Sequence, residues 1–304
     1  MIPRCLLLPA FFLALQSPLT LRADEASFVA DLEAAGLAAK KENGVVVEVG
    51  VAIRVAKEQA KSGWTPELLK RLPELPEVAK VHVLGSFVDN TALEVFTKLP
   101  KLEALRLGDI KFDDEGFATI ARCPGLKVLY ISGNDAITGK GVAALKPLTG
   151  LQALGFADCP KFNREGVQAC AQLTQLAYLG LSKLDLGDEE MALLAPLAGT
   201  LKDLDVNAGF NGKMSEAGLE HISRLKSLET LSFEETIIPF QNTLKHLLAL
   251  PNLKLVRLDN VDTSKEEAIK LKSALPNCQF KGAAATEKQV KLYNENREKY
   301  LKSR

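Results

Sequence analysis

The sequence predicts an α/β fold: a right-handed superhelix of short repeats, with parallel strands lining a concave face and helices covering a convex one. Two observations carry this. The first is an apolar frame, Leu-x-x-Leu-x-Leu, that returns at near-constant spacing: Leu102, Leu105, Leu107; Leu126, Leu129, Ile131; Leu151, Leu154, Phe156; Leu176, Leu179, Leu181; Leu201, Leu204, Val206; Leu228, Leu231, Phe233; and Leu253, Val256, Leu258. The steps between first positions are 24, 25, 25, 25, 27 and 25 residues, and a valine-based copy at Val78, Val81 and Val83 stands 24 residues before Leu102. Periods of this length mark stacked supersecondary units, and alternation within the frame marks a strand. The second observation is a recurring helix start in the other half of each repeat, where Asp113, Thr138, Asn163 and Ser215 precede apolar helix faces. Each is a residue type whose side-chain oxygen accepts from the free amides of a first helical turn.

Taken in chain order, residues 1–23 come first. Met1-Ile2-Pro3-Arg4 precedes an apolar run from Cys5 to Leu15, then Gln16, Ser17 and Pro18, ending at Leu21-Arg22-Ala23. This resembles a secretory signal peptide with Ala23 as the small residue before the cut; the run is shorter than the about 20 apolar residues that span a bilayer. The expected location is therefore secreted or periplasmic, with no transmembrane segment in the mature chain. Removing Arg4 and Arg22 from the 38 basic residues leaves 36 against 38 acidic ones, a net charge near −2. Such a balance argues against nucleic acid as a partner.

Residues 24–74 should form a cap for the first repeat, because a solenoid end exposes apolar core. A helix is expected from about Ala26 to Lys41, stopping at Gly44 before the strand-like Val45-Val46-Val47-Glu48-Val49. A second helix should start at Thr65-Pro66, an N-cap followed by proline at the first helical position. Trp64 beside it is read as structural.

Residues 75–280 carry the repeats. On the frame quoted above, the chain resembles leucine-rich-repeat proteins of the longer, cysteine-containing type found in F-box substrate adaptors. The resemblance implies a strand-plus-helix unit per repeat and a binding role. No F-box-like module precedes the repeats, so a role in ubiquitin ligation is not carried over.

Residues 281–304 hold seven basic and three acidic residues, with Val290, Tyr293, Arg297, Tyr300 and Leu301 at helical spacing. A charged terminal helix is expected, either packed as a cap or docking on a partner or envelope surface.

No catalytic residue, cofactor or metal site is expected. His82, His221 and His246 have no partner at metal-helix spacing, and there is no Gly-x-Ser-x-Gly elbow. Gly133 to Gly141 lacks the spacing and the Ser or Thr of a phosphate loop. The acidic run Asp113-Asp114-Glu115 falls at a helix start, where carboxylates complement the dipole. Cys123, Cys159, Cys170 and Cys278 fall at core positions of the repeat, so unpaired buried thiols are expected, with Cys159 and Cys170, which share a repeat, the one pair left open.

Function is then read from the strand face, where the residues between the leucines point outward. Lys80, His82, Arg106, Tyr130 and Tyr178 make its early part basic and aromatic, whereas Asp203, Asp205, Glu234 and Glu235 make its later part acidic, before Arg257 and Asp259. Strands at roughly 4.8 Å would put the rings of Tyr130 and Tyr178 about 10 Å apart. A shallow trough floored by Ala153 and Gly155 would lie between them, with Arg106 on one side and Asp203 and Asp205 on the other. The expected function is protein or peptide recognition at Arg106, Tyr130, Gly155, Tyr178, Asp203 and Asp205; the alternative is a structural cell-envelope protein without a discrete ligand.

Overall fold

A computed structural model describes residues 21–51, 63–237, 240–258, 265–282 and 285–303. Most of the signal-like segment, and Asp259, lie outside these. The chain builds a leucine-rich-repeat solenoid in which, among the described residues, eleven strands form one sheet in sequence order. The strands are β1 Leu37–Glu42, β2 Val45–Val51, β3 Lys80–Leu84, β4 Ala104–Gly108, β5 Val128–Ser132, β6 Ala153–Ala157, β7 Tyr178–Ser182, β8 Asp203–Asn207, β9 Thr230–Glu234, β10 Leu255–Arg257 and β11 Gln279–Lys281. All neighbouring pairs are parallel except β1 and β2. The connecting segments carry α3 Gly116–Ile120, α4 Arg164–Ala171, α5 Asp188–Ala192 and α6 Glu216–Ile222, then α7 Phe240–Leu248 and α8 Lys265–Ala274. Tight 3-10 turns replace the α-helix at Ala92–Lys98 and Lys140–Leu145.

Stacking follows from the frame. Leu105, Leu129, Leu154, Leu179, Leu204, Leu231 and Val256 occupy one register position and are fully buried. Backbone hydrogen bonds bind each repeat to the next at both ends of its strand. At the start, the carbonyl of Glu103 accepts from Lys127 and Val128, and that of Lys127 from Gln152 and Ala153. At the exit the chain turns through a left-handed residue, Asp109, Gly133, Asp158 or Lys183, and its amide donates to the next repeat's strand, as from Asp109 to Ser132.

Helix capping also crosses between repeats. Asn163 caps its own helix by accepting from Glu165. Thr138 and Ser215, expected to do likewise, instead donate their hydroxyls to Asp114 and Asp188 of the preceding repeat. Those carboxylates accept the amides of Gly141 and Gly218 in turn. Burial pushes the Asp114 carboxyl upward, but its bonds to Thr138, Gly139 and Gly141 prevail and hold it below the usual value. The Gly139 and Gly141 amides, which gave the superficial look of a phosphate loop, are thus taken by a carboxylate of the protein itself.

Buried polar groups are paired in the same cross-repeat manner. Asn134, fully buried, donates to the carbonyls of Ile110 and Phe112 and accepts from the amides of Ala136 and Ile137. Cys159 occupies the same position one repeat later and donates to Ala157. Cys123, Cys159, Cys170 and Cys278 are all buried and unpaired; burial pushes Cys123 and Cys159 up to about 11.

The N-terminal cap corrects one expectation. The first helix, α1 Ala23–Ala34, ends seven residues earlier than the expected Lys41, and Leu37–Glu42 forms β1 instead. β1 and β2 meet across Asn43-Gly44, both with positive φ, in the two-residue turn that suits the twist of a hairpin. Hydrophobic pattern favoured neither state here, and pairing with β2 decided it, because β2 then extends the parallel sheet through β3. Beyond it, α2 Pro66–Lys70 begins as expected, with the Thr65 hydroxyl accepting from Leu68. Trp64 is buried and donates to the carbonyl of His82.

At the other end, α9 Glu287–Lys302 folds back onto the loop after β8 rather than continuing the stack. Tyr293 donates to the carbonyl of Met214 at 2.8 Å, Asn296 to Phe210 at 2.9 Å and Arg297 to Gly212 at 2.9 Å. This loop, 208–215, belongs to the 27-residue step, and the added length supplies the carbonyls that receive α9. Gly212 has φ +74°, and a Cβ there would meet the Arg297 backbone nitrogen at 2.3 Å. Gly212→Ala is therefore expected to detach α9 while the repeats stay folded. Hydrogen exchange should show lost protection over 287–302 with protection of β4 to β8 unchanged.

Candidate functional site

The outward strand positions fall into rows fixed by the register. One row runs Lys80, Ala104, Val128, Ala153, Tyr178, Asp203, Thr230; its neighbour runs His82, Arg106, Tyr130, Gly155, Gly180, Asp205, Ser232, Arg257. Tyr130 and Tyr178 therefore sit in adjacent rows on strands two apart, diagonally across β6.

Their rings do not flank a trough. The centroids are 5.5 Å apart with planes inclined at 41°, so the expected gap of about 10 Å is closed by the rings themselves. The reason is the glycines beneath. A Cβ at Gly155 would meet Tyr130 Cε1 at 2.5 Å, and one at Gly180 would meet the Tyr178 hydroxyl at 2.7 Å. Without those carbons the two rings lean over the backbone, cover it and touch.

The tyrosine pair is the centre of a longer stack. The Arg106 guanidinium lies 4.9 Å from the Tyr130 ring centroid, a cation–π geometry. Burial pushes both phenols above the usual range, and for Tyr178 the adjacent Tyr130 phenol and the nearby Asp205 and Asp203 charges push the same way. Asp203 and Asp205 stand next to Tyr178 and Gly180 in register. Burial raises both carboxyls, and Arg257 pulls them back. Arg257 itself donates to the Ser232 hydroxyl at 3.3 Å.

Five of the six residues expected from the sequence thus form one continuous surface with Gly155 as its floor: a guanidinium, two stacked phenols and two carboxylates. This set can bind by stacking, hydrogen bonding and ion pairing. Gly180 and Arg257 complete it, the first by admitting the Tyr178 ring, the second by compensating the acid pair. The sequence also left out the contribution of the hairpin. Lys40 and Glu48 join Lys80 in one row, and Ala38 and Gly50 join His82 in the other. Asn43-Gly44 just ahead of the strand-like Val45–Val49 was the signal for it.

No family model matches the chain, and no curated protein does. Among solved structures it is similar to internalin C2 from Listeria monocytogenes, with 20% identity, a TM-score of 0.46 and coverage of 86% of this chain and 95% of that one. The fold assignment rests on the eleven-strand register and the repeating core.

Valine at Gly155 suits a strand but occupies the space under Tyr130. Gly155→Val should leave the fold intact and swing that ring away, removing a contact of about 0.5 to 1.5 kcal/mol. Ultraviolet titration should show the Tyr130 and Tyr178 phenols ionising closer to the usual value of about 10 than in the parent protein.

Proposed function

We propose that the chain is a non-catalytic binding module that grips a protein or peptide across its strand face. The observation that supports this most directly is the Arg106–Tyr130–Tyr178 stack beside Asp203 and Asp205, presented on a sheet rather than on loops. Tyrosine and arginine are the residue types that anchor interfaces, because each offers a large contact area with few rotatable bonds or a planar charged fork. A rigid sheet holds them without further ordering cost on binding. The even balance of charge favours a protein over a nucleic acid.

The ring pair gives the reading a specific test. Tyr130→Ala and Tyr178→Ala should each weaken capture of the partner drawn from an envelope extract by roughly 1 to 4 kcal/mol. The melting temperature should stay nearly unchanged, since both side chains lie on the surface of the sheet. Lys140→Ala, on the helix side, should do little. Undiminished capture by the double tyrosine variant would remove the strand-face site.

We also propose that the protein is exported. In a secretion-competent cell it should accumulate outside the cytoplasm, shortened by about the length of residues 1–23. Denaturing thiol labelling should then tag four cysteines, Cys5 having left with the leader. A cytoplasmic product that starts at Met1 and carries five thiols would contradict export.

A further inference from the structure

We infer that the segment gripped by the strand face carries a carboxylate, and that this group seats in a concavity at the N-terminal end of the sheet. The inference rests on the strand-face reading above and names the chemistry of the partner.

The concavity has a volume of about 520 Å3 and lies where the hairpin strands join β3 and β4. Lys40, Lys80 and Arg106 bring three cations to its wall, against the single carboxylate of Glu48. Glu48 stands between Lys40 and Lys80 in register, and Lys40 is paired with Glu42 at 2.9 Å, so the three cations against these two carboxylates keep an excess of one positive charge, on the side of Lys80 and Arg106. His82 adds no charge near neutral pH, because burial and the adjacent Arg106 lower its affinity for a proton; it remains a hydrogen-bonding group.

The floor is of a different kind. Gly50, Ala104 and Val128 line it with no side chain, a methyl and an isopropyl group, leaving an apolar surface inside a cationic rim. That volume falls within the usual range for ligand sites, roughly 300 to 1,000 Å3, and exceeds what a carboxylate alone fills. An apolar stem on Ala104 and Val128 with its carboxylate between Lys80 and Arg106 satisfies both parts. Arg106 is held against Tyr130, so its fork is fixed before the ligand arrives. Asp203 and Asp205 at the far side of the tyrosine pair repel the same group, which gives a bound segment one favoured direction along the face.

A chain terminus and an acidic side chain supply the same chemistry, and three probes separate them: N-acetyl-leucine, N-acetyl-leucinamide and N-acetyl-glutamic acid α-amide. Each would be titrated into the purified protein to roughly 10 mM while the amide resonances of Gly50, Ala104 and Val128 are followed. Saturable shifts are expected with the first probe, marking a terminal carboxylate, or with the third, marking a side-chain one. The neutral leucinamide, and the charged probes on Lys80→Ala, should bind about tenfold more weakly, the loss of one charge-assisted hydrogen bond. Absence of saturation with both carboxylates, or equal binding of leucinamide, would overturn the inference. Partner capture keeps the two readings apart. Capture lost in the Tyr130→Ala/Tyr178→Ala variant but retained in a Lys40→Ala/Lys80→Ala variant would leave the strand-face reading standing and remove the carboxylate.

Discussion

Every part of this molecule depends on the parallel pairing of one repeat with the next. A strand of five residues with a short helix has no core of its own, and half of its backbone groups face outward along the solenoid axis. Those groups are satisfied only by the neighbour: carbonyls at the strand starts accept from the following repeat, amides at the exits donate to it, and Asp114, Asp188 and Asn134 serve polar groups across the same boundaries. A fixed period is the only way to keep all of these in step, which is why the leucine frame holds its spacing.

The same constraint shapes the outward strand face. Strands about 4.8 Å apart give outward side chains little lateral room, so a large ring must lie over a small neighbour. Gly155 and Gly180 are that neighbour for Tyr130 and Tyr178, and the rings meet where a gap would otherwise stand. The result is a broad aromatic surface with a cationic concavity on one side and an acidic pair on the other. Because the rows are set by register, these three zones keep a constant order along the sheet.

Departures from the period mark where the solenoid does something besides stack. The 27-residue step creates the loop 208–215, and α9 returns to it from the end of the chain, tying the C-terminal segment to the middle of the repeats. Docking uses Tyr293 and Arg297, two residues on the face that the helical spacing had marked, while Leu301 at the end of that face stays exposed. At the N-terminus the hairpin does the converse, adding two strands to the sheet and extending the outward rows by Lys40, Glu48 and Gly50.

The sequence by itself determined the repeat, the strand positions, the buried cysteines and which residues face outward, because a period of two within a period of 25 leaves each side chain only one side to occupy. It also named Arg106, Tyr130, Tyr178, Asp203 and Asp205 as neighbours on one face. What only the tertiary structure decided were relations between residues whose spacing the period does not govern. Whether 37–42 is helix or strand turned on its pairing with β2, whether Thr138 and Ser215 cap their own helices turned on carboxylates one repeat back, and the landing place of α9 turned on carbonyls about 85 residues away in sequence. The distance between the two tyrosines was of this kind as well: strand spacing fixes where the Cα atoms stand, but the direction in which a ring leans is set by the empty space beside it.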